Sequence, residues 1–248
     1  EKKYDVEISS LAYYDNMLHP DANVRKQYAD HLRAVIKAAG RLGVPLVGCF
    51  IGKNQTKSLQ ANFDDFEAIF TDFVKLAEEN NVKLMIENCP MPGWQEDGLP
   101  GTISYSPELW DEMFKRVPSK NFGLNFDPSH LRWLHIDYLK AIRDYKDRIF
   151  HVDAKDVIVD EEKFHYYGIF GKKLNRQHEE DLGFWTPVIP GLGDINWSQL
   201  YNTLKEVGFD TYLSIEHEDR RFAANNDEIK AGLEYSYNHL NPIINEFK

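Results

Sequence analysis

Short apolar runs alternate with longer segments in which apolar side chains recur every three or four positions, and that alternation sets the expected architecture. Val6-Glu-Ile-Ser-Ser-Leu-Ala-Tyr-Tyr14 is rich in β-branched and aromatic residues and predicts a first strand. A helix follows over about 23–43, with Val24, Tyr28, Leu32, Val35, Ile36 and Ala39 on one stripe and Gly43 as its stop. Val44 to Ile51 predicts a second strand, Gly52 to Thr56 a loop, and a second helix over about 63–79 carries Phe66, Phe70, Phe73, Val74 and Ala77 inward. Val82 to Glu87 predicts a third strand, leaving through a loop that Pro90 and Pro92 stiffen, and Ser106-Pro107 caps and opens the next helix. Asn121 to Phe126 reads as a buried strand. Proline biases the residue before it away from helix and cannot donate to a ladder, so Asp127-Pro128 is expected to end that strand in a loop holding Asp127 and His130. A helix over about 136–146, a strand from Ile149 to Val152, a helix from Asn196 to Val207, a strand from Thr211 to Glu216 and a helix over about 227–247 complete the pattern.

Strands alternating with helices predict parallel βαβ units, an α/β fold, and one domain over residues 1–248. An α/β barrel suits this length, and its functional residues lie at the carboxyl ends of the strands. Six strand-helix units are two fewer than a closed (β/α)8 barrel needs, and Glu1-Lys-Lys-Tyr-Asp5 reads as a helix tail entering a strand. The first two βα units are therefore expected to be absent from this chain. One stretch breaks the rhythm: Asp156 to Asp194 has no clear periodicity, and its length suits a lid, a binding loop or an interface arm.

Charge narrows the partners. A net charge of −11 and a sequence pI near 5.3 argue against a nucleic acid or an anionic membrane, which select for basic faces. No apolar run approaches the roughly 20 residues that span a bilayer, and Glu1-Lys-Lys3 does not open a signal peptide. Cys49 and Cys89 both fall at strand ends and read as buried small hydrophobes, consistent with a reducing, cytoplasmic compartment.

Four strand ends carry metal-capable side chains: Glu87, Asp127, His151 and Glu216. This mixed oxygen and nitrogen set suits Mn²⁺, Mg²⁺ or Co²⁺ better than structural zinc. Singly, each has an ordinary reading as a helix cap, an ion-pair partner or a hydrogen-bonded core histidine. Burying four ionisable groups at one barrel mouth would be costly without a shared cation, which favours the metal reading. Around them, Lys155 either neutralises a developing negative charge or pairs with Asp153 or Asp156. Trp94, Phe50 and Tyr14 either line the mouth of the site or simply pack. Gly191-Leu-Gly193 lacks the P-loop lysine and is expected to turn the chain into the helix at Asn196.

Ile86-Glu-Asn-Cys-Pro90, Phe126-Asp-Pro-Ser-His130, His151-Val-Asp-Ala-Lys-Asp156, Pro190-Gly-Leu-Gly-Asp-Ile-Asn-Trp197 and Ser214-Ile-Glu-His-Glu218 resemble the signature segments of the sugar phosphate isomerase/epimerase group. That group belongs to the xylose isomerase-like TIM barrels and includes the ketose 3-epimerases. The resemblance implies that Glu87, Asp127, His151 and Glu216 hold one divalent ion, with Mn²⁺ the first expectation. It implies that Glu87 and Glu216 act as acid and base on opposite faces of a keto-sugar, and that His130 contacts the substrate's carbonyl end. His130 is equally readable as a partner of Asp127. A lyase acting on a 3-keto-glycoside and a sugar-binding barrel without turnover are the alternatives, and a homo-oligomer is compatible with each. The departure from the ketose 3-epimerases lies after His151: those enzymes have an arginine soon after, whereas Arg176 is the first one here. Phe164, Tyr166, Tyr167, Phe170, Phe184 and Trp185 in the same stretch suggest cover for a larger substrate or a subunit contact.

Overall fold

The computed structural model describes residues 3–94, 100–170 and 183–246, so that Arg176 lies outside the described residues. The chain forms two compact units, one running through Asn125 and the other beginning at Phe126.

In the first unit, β1 (Ser10–Tyr13), β2 (Leu46–Cys49), β3 (Lys83–Glu87) and β4 (Phe122–Phe126) pair in that order, all parallel. Parallel neighbours need crossovers, supplied by α1 (Ala22–Leu42), α2 (Leu59–Glu79) and α3 (Pro107–Arg116). Asp21 caps α1 by accepting from Asn23 N and Val24 N, and Gly43, at φ 73°, ends it in the left-handed conformation that the sequence anticipates. α2 begins a turn earlier than its phenylalanine spacing suggests, because Ser58 caps it with a bond from Ala61 N. Its inner face is a ladder of rings: Phe66 and Phe70 lie 4.9 Å apart, and each lies 5.9 Å from Phe122 of β4. α3 starts with Pro107 as expected, but the Ser106 side chain makes no capping bond. β1 is shorter than its composition predicts. Val6 and Ile8 are exposed and precede the ladder, because their side chains find no layer to pack on in this unit. Beyond β1 and β2, Asn16 ties two loops together: its Oδ1 accepts from Leu18 N and Lys53 N while its Nδ2 donates to Lys53 O. Gly52 must be glycine here, since its φ is 81° and a Cβ would sit 1.9 Å from Asn16 Oδ1.

The second unit departs further from expectation. Asp127 does not open a loop. It is the N-cap of α4 (Pro128–Trp133), accepting from Ser129 N at 2.8 Å, with Pro128 in the first turn. The same Asp-Pro step that stops a strand is a favourable helix start, because the proline N–H it lacks would be unsatisfied there anyway. α5 (Tyr138–Asp144), capped by Asp137, returns the chain to β5 (Ile149–Ala154), which pairs in parallel with β8 (Tyr212–Ile215). The stretch from Asp156 to Asp194 is structured at both ends. β6 (Asp156–Val159) and β7 (Trp185–Val188) form an antiparallel pair, and α6 (Glu161–Tyr167) follows β6. Trp133 packs on this pair with Val157, Val159 and Phe184, and stacks on Trp185 with ring centroids 4.9 Å apart. Phe164 lies 5.1 Å from Phe184. Three of the six aromatic residues singled out in the sequence are thus spent on internal packing, whereas Tyr166, Tyr167 and Phe170 are exposed. α7 (Trp197–Glu206), capped by Asn196, and α8 (Asn226–Glu246) complete the unit.

Candidate active site

In the first unit Glu87 is the last residue of β3, buried, in register with Asn125 of β4. Trp94 closes a 3₁₀ turn, Pro92–Trp94, edge-on to Phe50 at 5.6 Å, and Phe50 lies 4.6 Å from Tyr14. The Tyr14 hydroxyl accepts from Asn125 Nδ2 at 3.3 Å. These three aromatics therefore form one continuous packed row, with polar atoms at one end.

The second unit builds a dense ionic cluster from two strands and a helix cap. Side chains alternate along extended chain, so His151 and Asp153 of β5 share one face with Lys155 just beyond it, and Tyr212 and Ser214 of β8 share the matching face with Glu216 just beyond it. The register pairs His151 with Tyr212 and Asp153 with Ser214. One step further on, Glu216 N donates to Ala154 O at 3.1 Å and Lys155 Nζ donates to Glu216 Oε1 at 3.0 Å. The ammonium also lies 2.9 Å from Asp127 Oδ2 and 3.5 Å from Glu218 Oε2. Lys155 is thus enclosed by acids distant in sequence. Asp156, one of the two partners proposed for it, points the other way.

Asp127 divides its two oxygens: Oδ1 caps α4, and Oδ2 faces Lys155 and, at 3.1 Å, His130 Nε2. Burial works to raise this carboxyl, but the Lys155 ammonium and the hydrogen bonds from Lys155 and Ser129 outweigh it and hold the group below its ordinary value. Asp127 is accordingly ionised although fully buried. The Trp133 indole donates to His130 Nδ1 at 3.2 Å, and an indole can only donate. Nδ1 must then carry the lone pair, leaving the proton on Nε2, toward Asp127. His130 is placed as an oriented partner of Asp127, one of its two expected roles.

His151 is buried on β5, with Nε2 2.9 Å from Ser214 Oγ and Nδ1 3.5 Å from Asp153 Oδ1. Burial pushes its pKa down to about 4, so it is neutral at physiological pH, the state a metal ligand requires. The same shift sets a pH dependence. The unfolded chain takes up this proton near the ordinary value of about 6.5 and the folded one only near 4, so stability of the metal-free protein is full above that window and falls as pH drops through it. Denaturation in urea between pH 7 and 4 should show a loss that His151→Gln flattens by up to about 3 kcal/mol. Equal slopes in both proteins would contradict the assignment.

Asp156 organises what lies behind the cluster. Its Oδ1 accepts from Val157 N and Ile195 N, and its Oδ2 from Gly191 N and Trp197 Nε1, all between 2.8 and 3.0 Å. The Gly191-Leu-Gly193 turn wraps this carboxylate so closely that a Cβ at Gly193 would meet Asp156 Oδ1 at 2.2 Å. The turn does lead into α7, as expected, and the buried acid is what holds it. Asp219, buried as well, accepts from Ile189 N at 3.2 Å and pairs with Arg221. Ser214, Glu218 and Trp133 were not foreseen as contributors. Two-residue alternation back from Glu216 could have found Ser214, and three-residue spacing from His130 could have found Trp133. Nothing in the spacing distinguishes Glu218 from an ordinary surface acid.

Asp127 and Glu216 offer two carboxylates and His151 a neutral imidazole, although its nitrogens face Ser214 and Asp153 and, among the described residues, the three do not meet within reach of one ion. Oxygens of both acids already converge on one positive charge, the Lys155 ammonium. Chemically, that donor set suits a divalent ion.

The chain belongs to the xylose isomerase-like TIM barrel family, whose model matches residues 1–239. It is 25% identical over 236 residues to the uncharacterized protein MJ1311 of Methanocaldococcus jannaschii, an alignment covering 92% of this chain and 70% of that protein. Among solved structures it is similar to a D-tagatose 3-epimerase-like protein, with 24% identity, a TM-score of 0.69 and coverage of 99% of this chain and 80% of the other. It is also similar to the IolI protein with a bound zinc atom, at 17% identity and a TM-score of 0.69, covering 96% and 77%. At these identities the structural likeness establishes the fold. Other solved neighbours include epimerases and dehydratases, and of the curated inosose dehydratases that it matches the chain spans less than half. Among the described residues no helix is long and apolar enough to cross a membrane.

Proposed function

We propose that this chain carries the site of a divalent-metal-dependent sugar isomerase or epimerase, acting on a keto-sugar or sugar derivative by removing a proton next to a carbonyl. The observation that carries this reading is the convergence of Asp127 and Glu216 oxygens on a single cation, the Lys155 ammonium, with a neutral, buried His151 four residues before that lysine. Asp127, His151 and Glu216 would hold the ion together with Glu87, which joins them on the strength of the sequence pattern. Mn²⁺ is the first candidate, with Mg²⁺ and Co²⁺ next, and zinc enters from the IolI protein. When bound, such an ion stabilises the negative charge that develops on oxygen as a carbon acid is deprotonated.

The chain's own residues do the rest. A carboxylate removes the proton and a second one returns it, and Glu216 and Glu87 take those roles. Return to the same carbon from the opposite face gives epimerisation, and return to the neighbouring carbon gives aldose-ketose isomerisation. His130, whose Nε2–H faces Asp127, and the Lys155 ammonium are the candidates to contact a substrate oxygen, while Trp94 offers an apolar ring. The lyase alternative drew support from the aromatic residues after Asp156, and the packing of Phe164, Phe184 and Trp185 on Trp133 removes part of it. We further read residues 1–248 as part of one barrel domain that is cytoplasmic, with a small sugar as partner.

Incubating Mn²⁺-loaded protein with a panel of free ketoses in deuterated water tests the reading. Deuterium entering the sugar without a departing group supports it. Loss of an aglycone from a 3-keto-glycoside would favour the lyase, and binding without exchange the inactive barrel.

A further inference from the structure

Lys155 is a buried cation between two acids that the reading above assigns to a metal, and the two roles compete. Its ammonium is 2.9 Å from Asp127 Oδ2 and 3.0 Å from Glu216 Oε1, with the side chain 3% exposed. Two carboxylates brought this close would repel, one of them fully buried, so a counter-charge is required whenever no metal is present. A divalent ion seated on the same oxygens supplies that charge and repels the ammonium at short range. The third acid decides where the ammonium can go. Glu218 Oε2 lies 3.5 Å from Nζ, two residues beyond Glu216, and is 52% exposed, so it offers a wet position on the outer side of the cluster. Lysine suits this exchange: it is a point charge on a flexible four-carbon stem, whereas an arginine fork would lock to one carboxylate.

We propose that Lys155 is an internal counter-cation that holds Asp127 and Glu216 together in the metal-free protein and swings toward Glu218 when a divalent ion enters. The proposal rests on the metal-dependent reading and adds to it a built-in competitor. Metal affinity is then set below that of the bare carboxylates, because the ion must first displace the ammonium.

The direct test is a short pulse of acetic anhydride on the intact protein with and without saturating Mn²⁺, read by mass spectrometry at Lys155. Protection without metal and increased acetylation with it is the expected result. Equal protection in both states overturns the swing. Calorimetric titration with Mn²⁺ gives a second readout with opposite signs in two variants: Lys155→Met should bind at least about tenfold more tightly, and Glu218→Gln more weakly than the unmodified chain. Unchanged or weaker binding by a folded Lys155→Met also overturns the proposal, and should that variant not fold, the acetylation result and Glu218→Gln decide. A protein that binds Mn²⁺ while Lys155 stays protected leaves the metal reading standing without the competitor. Failure to bind Mn²⁺, Mg²⁺, Co²⁺ or Zn²⁺ at all removes both.

Discussion

Asp156→Ala is expected to be among the most destabilising single substitutions in this chain, at about 3–5 kcal/mol. The carboxylate is fully buried and accepts from three backbone N–H groups and one indole N–H. Alanine would leave all four donors without this acceptor, in a place where the turn at Gly191 to Gly193 is wrapped too closely for water to substitute easily. Asp156→Asn is the informative companion. It keeps one acceptor oxygen and turns an amide toward the remaining donors, so it should cost roughly half as much. Urea denaturation measures both, and hydrogen exchange locates the damage: the amides of Gly191 and Ile195 should lose protection before those of β5. A loss below about 1 kcal/mol for alanine would show that the turn holds itself.

Glu216→Gln should lower turnover by roughly 10²–10⁴-fold, the usual contribution of a positioned acid or base. Glutamine preserves shape and can still accept from Lys155 Nζ, so the metal-free protein should remain folded. It cannot take up a proton. The measurement is solvent deuterium exchange into a ketose substrate, with metal content determined in the same sample, since a lost ligand and a lost base both reduce the rate. A variant that retains the ion and binds sugar but fails to exchange isolates the base. Full activity in the variant would remove Glu216 from the chemistry and leave the sugar-binding alternative in front.

Much of the fold was legible because burial periodicity is a strong signal: α1, α2, α7 and α8 and the strands β2 to β5 and β8 lie where apolar spacing puts them, within a few residues. The misread segments share a cause. Asp-Pro encodes either a strand stop or a helix start, and what decides is whether the next residues have a layer to pack on; Leu131 and Trp133, both buried, supply it. The stretch after Asp156 looked irregular because β6 and β7 pair across sequence in between, so neither shows a run long enough to be recognised alone. In the candidate site, the positions of Asp127, His151 and Glu216 beside strand ends followed from pattern, but the partners of Lys155 did not. They come from α4 and from beyond β8, and contacts between distant segments leave no trace in local spacing.

Lys155 and Asp156 are consecutive, yet one faces the acids of the cluster and the other holds the turn before α7. Because extended chain alternates its side chains, inserting or deleting a single residue upstream in β5 would exchange them. An insertion would set the lysine against three N–H groups and an indole, and a deletion would set the aspartate among the carboxylates. Substitutions in β5 can be absorbed one at a time, but its length is fixed to the residue, and frame-shifting indels there should be the changes that this chain tolerates least.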